Sequence, residues 1–365
     1  MGVVSSAVDR LLHTTAVHAP SVGGRARTLH AAAPVVDLVV GTALFRRSLI
    51  EPNGSGHVDL PRLQSGGVNV VGLTIATRFP DLRGSLSAFQ FRSLGAPPAA
   101  MGSNMALAEW LIARIAAWCD ASAGELRLLR RRRDIDACLS AGGPVGVFLG
   151  AQGGHILDGR LANVERLKGL GVRMLAPAHV MDNRAVGSST GRRRSGLSGF
   201  GRELVAELER ESVLLDLAHM SDAGVDDCLA AATRPPLISH TGLLSRSSRR
   251  SRWRRYSPAT RNVPDSVARD VAHAGGVVGI TLSTQLLGGE SISDAVGAFQ
   301  AALEACGPAG VAIGSDMDGG LRMVVDAAGL PALTEGLLAA GVAPDVVRGV
   351  LGQNALRLLR STLAD

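Results

Sequence analysis

The sequence predicts an α/β protein built as a single (β/α)8 barrel. Three observations carry this expectation. Eight short β-branched runs are apolar on both faces, as strands of a buried parallel sheet should be. Amphipathic helical patterns of crossover length separate them. Polar, ligand-type residues recur just after the runs, where barrels of this kind carry their chemistry. An open, doubly wound sheet is the structural alternative.

The eight runs are 35–40 (VVDLVV), 68–75 (VNVVGLTI), 145–149 (VGVFL), 172–176 (VRMLA), 213–217 (VLLDL), 236–239 (PLIS), 276–281 (GVVGIT) and 310–314 (GVAIG). Helices are expected over 103–120, 160–169, 198–210, 221–231, 264–274 and 292–306, with one or two more over 344–362. Pro264 stands just inside its helix, a position that proline favours. Residues 1–33 read as a lead-in or a short helix, and residues 34–365 as the barrel. No internal repeat, Gly/Ser linker or composition break marks a second domain.

Composition agrees with one large folded unit. The chain has 365 residues, 46% hydrophobic and 19% charged, which excludes disorder over most of its length. The cysteines, Cys119, Cys138, Cys228 and Cys306, form no CxxC pair and read as buried thiols of a reducing compartment. No apolar stretch reaches membrane-spanning length, and no signal peptide is recognisable. The expectation is a soluble, cytoplasmic protein with no membrane association.

The strand ends supply the candidate site. After the third run comes the stretch Gly150-Ala151-Gln152-Gly153-Gly154-His155. His179 follows the fourth, His219 the fifth, His240 the sixth, and Asp316 with Asp318 the eighth. Two imidazoles at adjacent strand ends, His219 and His240, can share a metal ion, or can serve as structural residues. Asp316, in a glycine-rich turn, suits a general base or an amine-binding group, or a turn cap. Asp216 precedes His219 within a strand and is placed to orient a neighbour through a hydrogen bond. His155 reads as a turn residue and His273 as a surface residue. His57 and Asp59 form an HxD pair of metal-ligand spacing, yet LPRLQSGG after it reads as a helix start.

These segments resemble the renal (membrane) dipeptidases, binuclear zinc (β/α)8 barrels of the metal-dependent-hydrolase type. The resemblance runs from about residue 34 to about 360. It rests on HVDLPRLQSGGV, GAQGGHILDGRLANVERLKGLGVRML, SGLSGFGRELVAELERESVLLDLAHMSDAG, RPPLISH, TRNVPD, VAIGSDMDGG and LGQNALRLL. It implies that His219 and His240 match two zinc ligands. It implies that His179 contacts the scissile carbonyl, Arg261 the substrate carboxylate, and Asp316 the substrate amine as a proton carrier. The family's first-strand H-x-D is matched by Val39 and Gly41, and its bridging Glu by Gln152. Val and Gly cannot coordinate zinc, and a neutral amide binds it weakly. At most one zinc is therefore expected, on His219, His240 and, weakly, Gln152. Members of the family often form dimers, and a homodimer is expected on the same ground.

Charge adds one feature. There are 38 basic against 32 acidic residues, and six arginines fall within 246–255. With Arg192–Arg194, this stretch should lie at the barrel mouth, as a solvated loop or as a funnel for an anionic or carrier-bound substrate. One Trp and one Tyr beside it make a poor nucleic-acid platform. Two functions are compatible with these residues: an enzyme acting on a dipeptide or amino-acid-derived substrate with an impaired metal site, or a catalytically inactive relative that binds a zwitterion or an acidic partner.

Overall fold

A computed structural model describes residues 10, 13–18, 21–78, 88–246 and 257–365. Nine strands form one parallel sheet: β1 Val36–Val40, β2 Val70–Ala76, β3 Leu126–Leu128, β4 Val145–Gln152, β5 Val172–Ala176, β6 Leu214–Leu215, β7 Leu237–Thr241, β8 Val277–Ile280 and β9 Val311–Ile313. Their order is β6-β5-β4-β2-β1-β9-β8-β7, with β3 paired to the start of β4. A parallel bridge from Asp216 to Leu237 joins β6 to β7 and closes the ring of eight. The barrel expectation holds, and the open-sheet alternative does not.

Every residue of β1, β2, β4, β5 and β7 is buried, which explains their unbroken apolar runs. Burying a Val, Leu or Ile side chain stabilises by about 1.5–3 kcal/mol, so these strands dominate the core. The expected helices are present as Asn104–Ala121, Asn163–Gly169, Gly199–Arg210, Asp222–Ala231, Asp265–His273 and Ile292–Cys306. Ser103, Ser198, Ser221 and Ser291 each accept a backbone N–H at the start of a helix, the usual serine cap. Pro264 is a cap residue just outside its helix, not inside it.

The closing stretch is broken into Pro344–Arg348, a π turn Gly349–Gln353 and Asn354–Arg360. Within the π turn, a Cβ at Gly352 would meet Pro34 O at 2.4 Å, so the chain passes at backbone contact with the residues that lead into β1. Gly24–Ala32 is the short helix allowed for in the lead-in, whereas helices such as Arg132–Leu139 and Leu330–Ala339 were not expected. No described helix is long and apolar enough to cross a membrane.

Candidate active site

Two buried carboxylates shape the C-terminal ends of the strands, and they do so in the same way. Asp37 on β1 accepts hydrogen bonds from Ser315 N (2.9 Å), Ser315 Oγ (2.5 Å) and Val39 N (3.3 Å). Asp216, beyond β6, accepts from Ser239 N (2.8 Å), Ser239 Oγ (2.6 Å) and Ala218 N (3.0 Å). Each clamp ties one strand to the neighbour across from it, and each donating serine directly precedes a site residue, Asp316 or His240. Burial pushes the Asp37 carboxyl up to about 6, against the pull of the Ser315 bonds. Burial raises Asp216 too, opposed first by Ser239.

The residues these clamps hold are backbone outliers. His219, Asp316 and Asp318 have φ of 64°, 60° and 58°, in the left-handed region that side chains other than glycine seldom adopt. Such conformations cost about 1–3 kcal/mol each and persist where the surroundings over-determine them.

Three imidazoles converge inside this ring. His219 Nε2 lies 3.0 Å from His240 Nε2, and the His179 and His219 ring centroids are 4.8 Å apart. The proton positions are set by the Asp216 clamp. Ser239 Oγ gives its proton to Asp216, so the 2.8 Å contact with His240 Nδ1 requires His240 to donate. His240 therefore carries its proton on Nδ1 and presents a bare Nε2, to which His219 Nε2–H donates.

Arg261 lies beneath this group, 1% exposed. Its Nη2 donates to His240 O at 2.7 Å, while Nε and Nη1 meet no hydrogen-bond partner among the described residues. No ion pair among the described residues includes it. Next to it, Leu244 N donates to Val263 O and Val263 N to Gly242 O, which ties the chain after Arg261 to the chain leaving β7. Burial, then the Arg261 charge, drives His219 and His240 well below the usual imidazole range and His179 down to about 4. All three rings are neutral at physiological pH. Asp316 moves the other way. Burial pushes it up to about 7, opposed by Arg261 and His57 and reinforced by Asp37.

Gln152 ends β4 and is buried, in register between Ala76 and Ala176. His155 sits in the 3-10 turn Gly154–Leu157, where burial and His179 hold it down at about 3. Sequence reasoning left His155 out of the site, yet the structure puts it within electrostatic reach of His179. The HxD pair is engaged elsewhere. Asp59 caps the helix Leu60–Ser65 and pairs with Arg62. His57 contacts Asp318 and Thr14. Asp318 accepts from Arg47 (3.0 Å), Thr42 (2.6 Å) and His57 N (2.7 Å). Burial works against its charge, but His57, Arg47 and His13 hold its carboxyl below the usual range.

A family model for the membrane dipeptidases (peptidase family M19) matches residues 24–364. The chain belongs to the membrane dipeptidase family. Solved structures share the fold. A metallo peptidase from Rhodobacter sphaeroides, liganded with a phosphinate mimic of the dipeptide L-Ala-D-Ala, is 25% identical with a TM-score of 0.75, covering 90% of this chain and 99% of that one. The probable dipeptidase PvdM from Pseudomonas aeruginosa has a TM-score of 0.78 at 16% identity, covering 93% and 97%. An amidohydrolase from the same organism has a TM-score of 0.72 at 22% identity, covering 92% and 98%.

Membrane dipeptidases are metallopeptidases, so the fit of the donor set to a metal matters. At the first-strand positions, Val39 is buried apolar core. A Cβ at Gly41 would lie 2.3 Å from Asp318 O, so no ligand side chain fits there without a backbone shift. Among the described residues, no group of three or more His, Cys, Asp or Glu side chains is placed to hold a metal ion. A zinc held tetrahedrally by two imidazoles at 2.0–2.1 Å keeps its nitrogens about 3.3 Å apart, close to the spacing of His219 and His240. Catalytic zinc sites use three protein ligands. The pair is thus two-thirds of such a site, and the residues do not fit a binuclear centre.

Proposed function

We propose that this member of the membrane dipeptidase family binds a dipeptide or amino-acid-derived zwitterion and acts on it with its own polar residues. The observation that carries the reading is Arg261, a buried guanidinium with two nitrogens that meet no partner among the described residues, beside three neutral imidazoles. A buried cation left short of hydrogen bonds is costly, and a carboxylate is the ligand that completes it.

In this reading Arg261 receives the substrate carboxylate, while Asp316, after β9 and two strands along from the β7 end that Arg261 contacts, faces the amine. With its carboxyl near 7, Asp316 exchanges protons readily at neutral pH. For amide hydrolysis it takes a proton from the attacking water and returns it to the leaving nitrogen, as the C–O bond forms and the C–N bond breaks. His179 donates to the developing oxyanion. At most one zinc would be held, by His219 and His240 with the Gln152 amide oxygen, and the roles of Arg261, His179 and Asp316 would not depend on it. The same residues suit a diverged proton-transfer reaction on an amino-acid-derived substrate.

The backbone contact that excludes a ligand at Gly41 favours a second reading, a zwitterion-binding relative without turnover. The Arg192–Arg194 segment is exposed beyond β5, anchored by Arg192 N and Arg193 N donating to Asp182. It supports steering of an anionic or carrier-bound ligand. The denser run 247–256 lies outside the described residues.

Calorimetric titration with L-Ala-D-Ala, followed by product analysis with and without added zinc, tests both readings. Binding lost in Arg261→Ala with product formed supports the enzyme. Binding without product supports the second reading. Affinity unchanged in Arg261→Ala would overturn both.

A further inference from the structure

The segment ahead of the family-matched residues is built into the mouth of the barrel. Thr14 O accepts from Met323 N (3.0 Å), Ala16 N donates to Met323 O (2.9 Å), and Val17 N donates to Val324 O (2.9 Å). On its other edge, the 322–324 stretch is held by the chain leaving β8: Val324 N donates to Leu282 O and Thr284 N to Arg322 O. Residues 322–324 are therefore the middle of three extended segments, and residues 14–17 are one outer edge. Met323 and Val324 are fully buried beneath them.

Two histidines fasten this arrangement. Gly320 N donates to His13 Nε2 at 3.0 Å, so the loop after β9 is capped by a ring from the N-terminal segment. His13 itself is 4% exposed, packed edge-on against Phe45 (4.4 Å between centroids) and His57 (5.5 Å). His57 Nε2–H donates to Thr14 O at 3.0 Å, and His57 N donates to Asp318 Oδ1 at 2.7 Å. The path Thr14–His57–Asp318 links the segment to the turn that carries Asp316, two residues away.

We propose that residues 13–17 are a strap that fixes the 316–324 loop across the barrel mouth, with His13 as a positioning residue for Asp316. The importance of Asp316 rests on the function proposed above; the strap itself does not. A leucine at 13 keeps apolar bulk but removes the acceptor for Gly320 N–H, whereas glutamine offers an oxygen at similar reach.

The test is amide hydrogen exchange on the full chain as wild type, His13→Leu and His13→Gln, with L-Ala-D-Ala titrated into each. Losing one such bond corresponds to roughly three- to tenfold in the local opening equilibrium. We expect His13→Leu to speed exchange at Gly320, Met323 and Val324 by that factor and to weaken dipeptide binding three- to tenfold, with His13→Gln close to wild type in both. Unchanged exchange in His13→Leu, or no rescue by His13→Gln, overturns the strap. Faster exchange with unchanged affinity overturns the positioning of Asp316. If wild type does not bind the dipeptide, the function proposed above fails, and the strap is decided by exchange alone.

Discussion

Arg261 offers the sharpest test, because stability and function should move in opposite directions. In Arg261→Met, the guanidinium gives way to an apolar chain of similar reach. The loss is one charge-assisted hydrogen bond to His240 O, about 1.5–3 kcal/mol. The gain is removal of two buried donor atoms without partners, about 1–3 kcal/mol each. The balance is stabilising by about 2 kcal/mol, in line with buried charges that are replaced by packed apolar groups. For a chain of 365 residues this raises Tm by roughly 2–3 °C. Binding of a zwitterion should fall by about 2–5 kcal/mol, the cost of truncating one partner of a buried charge pair. Differential scanning calorimetry and calorimetric titration of ligand-free protein read both quantities. A variant destabilised by several kcal/mol would refute the reasoning, since Arg261 would then be a satisfied structural cation and no ligand would be needed to complete it.

Other outcomes rest on the same contacts. Asp316 has a folded-state carboxyl near 7 against 3.8 in the unfolded chain, so its contribution is fully present below 3.8 and lost as pH rises through about 7. Asp316→Asn should therefore gain about 2–3 kcal/mol over wild type between pH 5 and pH 8 in urea denaturation, and parallel curves would contradict the assignment. Ser239→Ala removes the acceptor for His240 Nδ1–H, so nitrogen NMR should show His240 losing its fixed Nδ1–H tautomer; an unchanged spectrum would show that the clamp does not set it. Gly41→Asp puts a side chain 2.3 Å from Asp318 O. It should lower Tm and leave the metal stoichiometry, measured by elemental mass spectrometry, unchanged. A second bound metal would show that the backbone yields. Asp318→Asn leaves the buried Arg47 charge short of its partner and should cost about 3–5 kcal/mol in denaturant unfolding.

The eight main strands were legible because burial on both faces leaves uninterrupted β-branched runs that solvent-facing segments do not show. β3 was not, since Leu126–Leu128 is three residues long and alternates buried, exposed and half-buried. Strand six shrinks from the expected 213–217 to Leu214–Leu215. At that seam a side-chain clamp, Asp216 to Ser239, takes over from the backbone ladder. The helix Arg132–Leu139 was hidden by its arginines, for only Ile135 and Cys138 face inward. At the site, strand-end position alone singled out His179, His219, His240 and Asp316. The serine before His240 and the serine before Asp316 are a readable signal for the two clamps, but their partners, Asp37 and Asp216, lie in other strands. The His13 strap carries no local signal, because Gly320 is 307 residues away.

The clamps also show how the strand-end residues can be held together by protein groups alone. A bound cation could gather imidazoles and carboxylates that otherwise drift apart. Here the gathering is done by protein groups. Asp216 takes three donors and passes orientation through Ser239 to His240. Asp37 takes three donors and sets Ser315, with Asp316 N donating to Val39 O beside it. Val39 thus contributes its backbone to the site although its side chain is apolar. Gly41 contributes by having no side chain, which lets the Asp318 backbone close over β1. The positions that would carry first-strand ligands are therefore occupied by the packing that holds Asp316 in its left-handed conformation. Restoring ligands at 39 and 41 would compete with that packing, and this is why the Gly41→Asp variant should lose stability before it gains any affinity for metal.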